Sequence, residues 1–214
     1  MSTPVSHDRR NSLVAFIDGF NLYHGMHDKF GHKYLWLDLV RLVKLLRPQS
    51  RLEKVYYFTA PVLDDHGAIS RQGTYLKALK DSHPDLLEII EGRYQRKEQR
   101  CINCGATWTT YEEKETDVNT AVSLVAVALE EEKRDILVIS ADSDMAPAIR
   151  RIQKTRPGQF IVASFPPGRG SKELRKLMPA SFRIGEQKLA QAQLPAHVTD
   201  PVTGHIVSRP AKWS

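Results

Sequence analysis

The sequence predicts an α/β sandwich, with a mostly parallel central sheet covered on both faces by helices. Short, continuously apolar runs, which suit strands buried on both faces, alternate with longer runs of helical period. Most of the apolar runs are bounded by Asp, Gly, Pro or Ser, residues that turn a chain off the end of a strand or cap a helix.

The elements follow in order. Leu13-Val14-Ala15-Phe16-Ile17 is a short buried strand that ends on Asp18-Gly19. Residues 21–30 suit a short helix. A second helix follows Trp36, with Leu39, Val40, Leu42, Val43, Leu45 and Leu46 on one face and Pro48 after its end. Lys54-Val55-Tyr56-Tyr57-Phe58-Thr59 is aromatic and β-branched, a second strand. Residues 66–80 have helical spacing, and 86–94 make a third strand. The polar segment 96–113 fits neither period and is expected as an inserted loop or β-hairpin. Residues 115–131 return to helix, apolar nearly all round from 121 to 129, and so expected to be well buried. Asp135-Ile136-Leu137-Val138-Ile139-Ser140 is the strongest strand pattern in the chain. A helix over 143–155 tolerates Pro147 in its first turn. Residues 160–164 form another strand, 171–177 a short helix, and 182–184 an edge strand.

At 214 residues the chain can bury one core without staples. The expected organisation is a tail over 1–11, one domain over 12–188 with an insertion over 95–113, and a tail or arm over 189–214, which has three prolines and no clear period. Residues 1–12 lack the apolar centre of a secretory signal, and no run approaches the roughly 18 apolar residues of a membrane span. A cytoplasmic location is therefore expected. Lys and Arg exceed Asp and Glu by 31 to 25, and a charge of +6 favours a polyanionic partner.

In an open parallel sheet, sites form outside the carboxyl ends of the strands. Asp18 follows the first strand, and Asp142 and Asp144 follow the strongest one in Ser140-Ala141-Asp142-Ser143-Asp144. Asp117 lies in the first turn of the fourth long helix. Singly, each acid suits a helix cap or a turn. Together, four carboxylates from three segments would repel one another unless a cation joined them. Oxygen donors suit magnesium or manganese, which keep waters and bind phosphate oxygens. Metal-assisted phosphodiester hydrolysis is the reaction class such a site serves.

The segment Phe16-Ile17-Asp18-Gly19-Phe20-Asn21-Leu22-Tyr23 resembles the opening motif of the NYN-domain family, PIN-like nucleases that include the LabA-type bacterial group. Glu113-Lys114-Glu115-Thr116-Asp117-Val118 is similar to that family's second acidic motif, and Ile139-Ser140-Ala141-Asp142-Ser143-Asp144-Met145 to its third. Ala141 stands where a glycine is usual and Met145 where an aromatic is usual. The resemblance runs over about 12–185 and implies a PIN-like three-layer α/β/α fold and an Mg²⁺- or Mn²⁺-dependent endoribonuclease. It implies metal-ligand roles for Asp18, Asp117, Asp142 and Asp144. Asn21 would orient Asp18 or a metal-bound water, and Ser140 and Ser143 would donate to the acids from behind. The product ends it implies are a 5′-phosphate and a 3′-hydroxyl. The alternatives are a non-catalytic RNA-binding or adaptor module, and a haloacid-dehalogenase-type phosphohydrolase. The latter wants a second Asp two residues after the first, and position 20 is Phe.

RNA would meet such a site through its backbone, and Arg71, Lys77, Arg93, Arg96, Lys97, Arg100 and Lys114 are the candidate contacts, with Tyr94 and Trp108 to stack on bases. The only two cysteines, Cys101 and Cys104, form a CxxC followed by glycine, half of a structural zinc site. His24 and His27 would complete it, or a second copy of the chain would donate its own pair in a homodimer. The stretch Phe165-Pro166-Pro167-Gly168-Arg169-Gly170 lacks the Walker pattern and is expected to connect a strand to a helix. No HExxH occurs among the eight histidines.

Overall fold

The computed structural model describes residues 11–63 and 65–213; the N-terminal tail expected over 1–11 lies, apart from Asn11, outside them. Strand β1 (Ser12–Asp18) sits inside a six-stranded parallel sheet and pairs with both β2 (Arg51–Thr59) and β6 (Asp135–Ile139). The full order is β3-β2-β1-β6-β7-β8, with β3 at Leu87–Glu91, β7 at Ile161–Phe165 and β8 at Phe182–Arg183. The chain thus builds outward on one side of β1 and then returns to build on the other. That reversal leaves a crevice at the carboxyl ends of β1 and β6.

Alternation along β1 explains the layers. Leu13, Ala15 and Ile17 join a core with α1 (Gly19–Phe30), α2 (Leu39–Leu46) and α3 (His66–Ser82). Val14 and Phe16 join the opposite core with α4 (Thr116–Leu129), α5 (Ala146–Thr155) and α6 (Lys172–Leu177). Successive strand side chains point to opposite faces, so a continuously apolar strand demands helices on both.

Three local expectations change. The run over 86–94 divides at Gly92: β3 stays in the sheet, while β4 (Arg93–Arg100) leaves it and pairs antiparallel with β5 (Thr107–Lys114). The insertion is a two-stranded hairpin. Gly92 is required at its base, because a Cβ there would stand 2.3 Å from Thr116 Oγ1. The second change concerns α4, which was expected to be well buried. Thr120, Leu124, Val127 and Ala128 are buried, but Val118 and Val122 are each 63% exposed. An outer-layer helix has only one face against the sheet, whatever its composition.

The third change is at the C-terminus. Residues 189–214 were expected as a tail or arm, yet the described part is folded onto the α1–α3 side. Helix α7 (Glu186–Gln191) leads into a hairpin of β9 (His197–Thr199) and β10 (Ile206–Ser208). Leu189, Leu194, Val198, Val207 and Trp213 are buried in the same core as α2 and α3. The Trp36 indole donates to Pro195 O at 2.8 Å, and Trp213 packs edge-on to Tyr75 with ring centroids 5.8 Å apart. These apolar residues are too sparse in sequence to show a period, but they converge in space. Replacing Trp213 by Ala is expected to lower unfolding stability by about 3 kcal/mol, measured by denaturant titration; a loss below about 0.5 kcal/mol would make this segment a loose arm.

Candidate active site

Asp18 closes β1 and caps α1: its Oδ1 accepts from Asn21 N at 2.9 Å. Capping uses one carboxylate oxygen only. The other, Oδ2, accepts from the buried Ser140 hydroxyl at 2.8 Å. Ser140 Oγ in turn accepts from Asp142 N at 2.9 Å, and Asp142 Oδ1 accepts from Asp144 N at 2.9 Å. A second link crosses the same crevice, where Ala141 N donates to Asn21 Oδ1 at 3.0 Å. The ends of β1 and β6 are therefore joined by two side chains, Ser140 and Asn21. The cap reading and the site reading of Asp18 and Asp142 hold together, since each acid caps with one oxygen.

Asp117 enters from the first turn of α4. One oxygen from each of Asp117, Asp142 and Asp144 lies within 4.8 Å of the others. Asp18 stands behind this group and touches it through Ser140. Among the described residues, no Lys or Arg nitrogen lies within 4.0 Å of any of the four acids. Partial burial, and then the negative charge of Asp142, Asp18, Glu113 and Asp144, push the Asp117 carboxyl up to about 6. Burial likewise raises Asp18, against the hydrogen bonds from Asn21 and Ser140, which lower it. A close set of carboxylates with no cation of the protein's own fits a hard divalent cation, which takes oxygen donors and relieves their repulsion. The acidic group can hold such an ion.

Glu113 was not singled out in the sequence, though it stands in the second acidic motif. It accepts from Thr116 N at 3.2 Å and from the Thr116 hydroxyl, tying the hairpin base to the start of α4. Between them Glu115 is left-handed, with φ +80, an uncommon state for a residue with a side chain. Neither feature has a local sequence signal, because both depend on where the hairpin returns.

The basic residues are placed unevenly. On the hairpin, Arg93 pairs with Glu115, Lys97 and Lys114 with Glu112, and Arg96 with Glu98. This surface alternates in charge. Arg71 lies elsewhere, 3.9 Å from Asp65, on a cavity of about 780 Å³ that opens beside Gly19 and Phe20 and includes Tyr94 in its wall. Trp108 is half exposed on β5. Cys101 and Cys104 sit at the hairpin tip, and among the described residues they do not gather with His24 and His27.

An open parallel sheet with an acidic centre at its switch point defines a PIN-like nuclease fold. The chain belongs to the NYN domain family, whose sequence profile matches residues 12–183. It is 27% identical to 6-hydroxy-3-succinoylpyridine 3-monooxygenase HspA of Pseudomonas putida, over 64% of this chain and 54% of that one. The chain thus spans about half the length of the curated relative it matches. In structure it is similar to a protein of unknown function from Vibrio parahaemolyticus, with a TM-score of 0.53, 16% identity, and 85% of this chain and 98% of that chain covered. That likeness is one of fold.

A folded-state value near 6 for Asp117 against 3.8 in the unfolded chain has a definite sign. The metal-free fold binds more protons in that window, so its stability falls as pH rises through it, and the deficit is complete above it. Asp117→Asn is therefore expected to raise the Tm of chelator-treated protein at pH 7.5 and to raise it less at pH 5. Mn²⁺ should raise the wild-type Tm at pH 7.5 and leave the variant unchanged, as read by thermal melts. A variant that gains equally at both pH values would remove the repulsion argument.

Proposed function

We propose that this protein is a metal-dependent ribonuclease that hydrolyses RNA phosphodiester bonds. The observation that carries the reading is the convergence of Asp117, Asp142 and Asp144 at the sheet's switch point, backed by the Ser140–Asp18 relay. Asp117, Asp142 and Asp144 would hold Mg²⁺ or Mn²⁺, with Asp18 joining them directly or through water. The bound ion would lower the pKa of a water and offset negative charge on the phosphate. Ser140 holds Asp18 and the backbone of Asp142 in fixed relation, so the acids keep their spacing when substrate arrives. Asn21 fixes the Ala141 backbone and so the start of the loop that carries Asp142 and Asp144. Arg71, Arg93, Arg96, Lys97 and Lys114 would contact the RNA backbone, the hairpin residues by exchanging their carboxylate partners for phosphate. The choice of RNA follows from family membership, and the positive net charge agrees with it.

A second reading has one observation in its favour. The Pseudomonas relative is named for a substituted pyridine, and an aromatic-walled cavity opens beside Asp18 in this chain. In that reading the cavity receives a small aromatic substrate and the acidic group serves its chemistry.

Incubation of labelled single-stranded and structured RNAs with protein and Mn²⁺ or Mg²⁺ separates these readings. Cleavage leaving 5′-phosphate ends is expected, abolished by chelator and reduced on the order of a hundredfold or more by Asp142→Asn. Ser140→Ala should cost about ten- to a hundredfold. No cleavage with either metal, or equal cleavage by Asp142→Asn, would defeat the ribonuclease reading.

A further inference from the structure

The cavity beside Gly19 is not used by the acidic centre, and its walls are unusual in origin. Tyr57 of β2 and Tyr75 of α3 supply aromatic surface, and Trp213 adds more from the C-terminal segment. Each is at least nine-tenths buried. Thr109, Thr110 and Tyr111 of the hairpin close another side. Trp213 lies beyond the part of the chain that the NYN profile matches, so this cavity is assembled partly from an addition to the common domain.

Its charge is one-sided. Arg71, Lys212, His27 and His32 all line it, whereas Asp65 is the one carboxylate among the described lining residues. His32 is held below its ordinary pKa, first by desolvation and then by the positive charge of Lys212, His27 and Arg71. His27 and His32 meet edge-on with ring centroids 5.2 Å apart, and Arg71 and Lys212 line the same cavity. Among the described residues Arg71 reaches a carboxylate only at Asp65, at 3.9 Å, and its guanidinium presents a fork of donors to the cavity. Apolar aromatic walls with a few convergent polar groups are the usual make-up of a small-ligand site, and 780 Å³ is within the range such sites occupy.

We propose that this cavity binds a planar aromatic ring carrying an anionic group, the ring among Tyr57, Tyr75 and Trp213 and the anion on Arg71 and Lys212. The ring gains stacking and apolar burial, and the anion gains charge-assisted hydrogen bonds from a fork-shaped donor. Two sources offer that chemistry: a nucleotide of a strand lying across the acidic centre, and a free aromatic carboxylate. Gly19 and Phe20 line the cavity directly after Asp18, so either ligand would lie next to the acids. The inference needs no hydrolysis; its nucleotide arm rests on the ribonuclease reading, with which it shares Arg71, and its free-acid arm deepens the second reading.

Isothermal titration of the metal-free full chain tests it, with adenosine 5′-monophosphate, nicotinate and ribose 5-phosphate as ligands. One aromatic anion is expected to bind with unit stoichiometry, and ribose 5-phosphate at least about tenfold more weakly, since it lacks the ring. Preference for the nucleotide assigns the site to nucleic acid, and preference for nicotinate assigns it to a free acid. Arg71→Ala with Lys212→Ala should weaken binding by about tenfold. Ala68→Trp, which fills the cavity from α3, should abolish it while circular dichroism stays unchanged. Asp142→Asn should bind as the wild type does, so loss of cleavage and loss of binding are separately visible. Failure of both aromatic anions to bind at millimolar concentration, ribose 5-phosphate binding as tightly as they do, or wild-type binding by a folded Ala68→Trp would each overturn the inference.

Discussion

Carboxylates repel, and the carboxyl edge of this sheet is organised around holding four of them together. Asp18, Asp117, Asp142 and Asp144 arrive from three chain segments, and nothing in their own chemistry draws them close. Their backbones do so. Asp18 and Asp142 are fixed because β1 and β6 pair in parallel along their length, which brings their carboxyl ends side by side. The Ser140 hydroxyl then donates to one acid and accepts from the backbone of the other, so it adds order without adding charge. The raised carboxyl of Asp117 is the cost of this convergence in the metal-free fold.

Close approach sets the remaining geometry. A Cβ on Gly19 would lie 2.6 Å from Phe58 O and 2.9 Å from the Tyr57 ring. Only glycine lets α1 begin immediately after β1, and only that tight junction lets Asp18 both end the strand and cap the helix. Gly92 does the same service for the hairpin, whose base must press against Thr116 to deliver Glu113 beside the start of α4. A left-handed Glu115 completes the turn. The position of Asp117 therefore depends on a strand junction that lies outside the main sheet.

Two further structures stand beside this centre. The β4–β5 hairpin carries paired charges and two exposed aromatic side chains, Trp108 and Tyr111. The C-terminal segment crosses the α1–α3 face, where Asp38 N donates to Ala192 O and Leu194 N to Trp36 O. Together they wall the cavity beside the acids. A domain with one acidic centre thus gains a neighbouring site whose lining differs in kind, aromatic and basic where the centre is acidic.

The alternation of apolar runs and helical periods was enough to place the six sheet strands and the helices from α1 to α6, because burial on both faces leaves a continuous apolar signature. Asp18, Asp117, Asp142 and Asp144 were legible for a related reason: acids at strand ends and a helix start stand out against such runs. The division at Gly92 was not legible, since only that one residue stands between β3 and β4 and the choice of partner separates them. Nor was the exposure of Val118 and Val122, which depends on there being no further layer outside α4. The packed C-terminal segment was hidden because its apolar residues are spaced by tertiary contacts and not by any helical or strand period. By itself, then, the sequence determined which residues would end strands and bear charge, since backbone periodicity and residue chemistry are local properties. Which acids meet, which cations find carboxylate partners, and whether Trp213 closes a cavity were decided by the tertiary structure, because distance between remote segments is a property of packing alone.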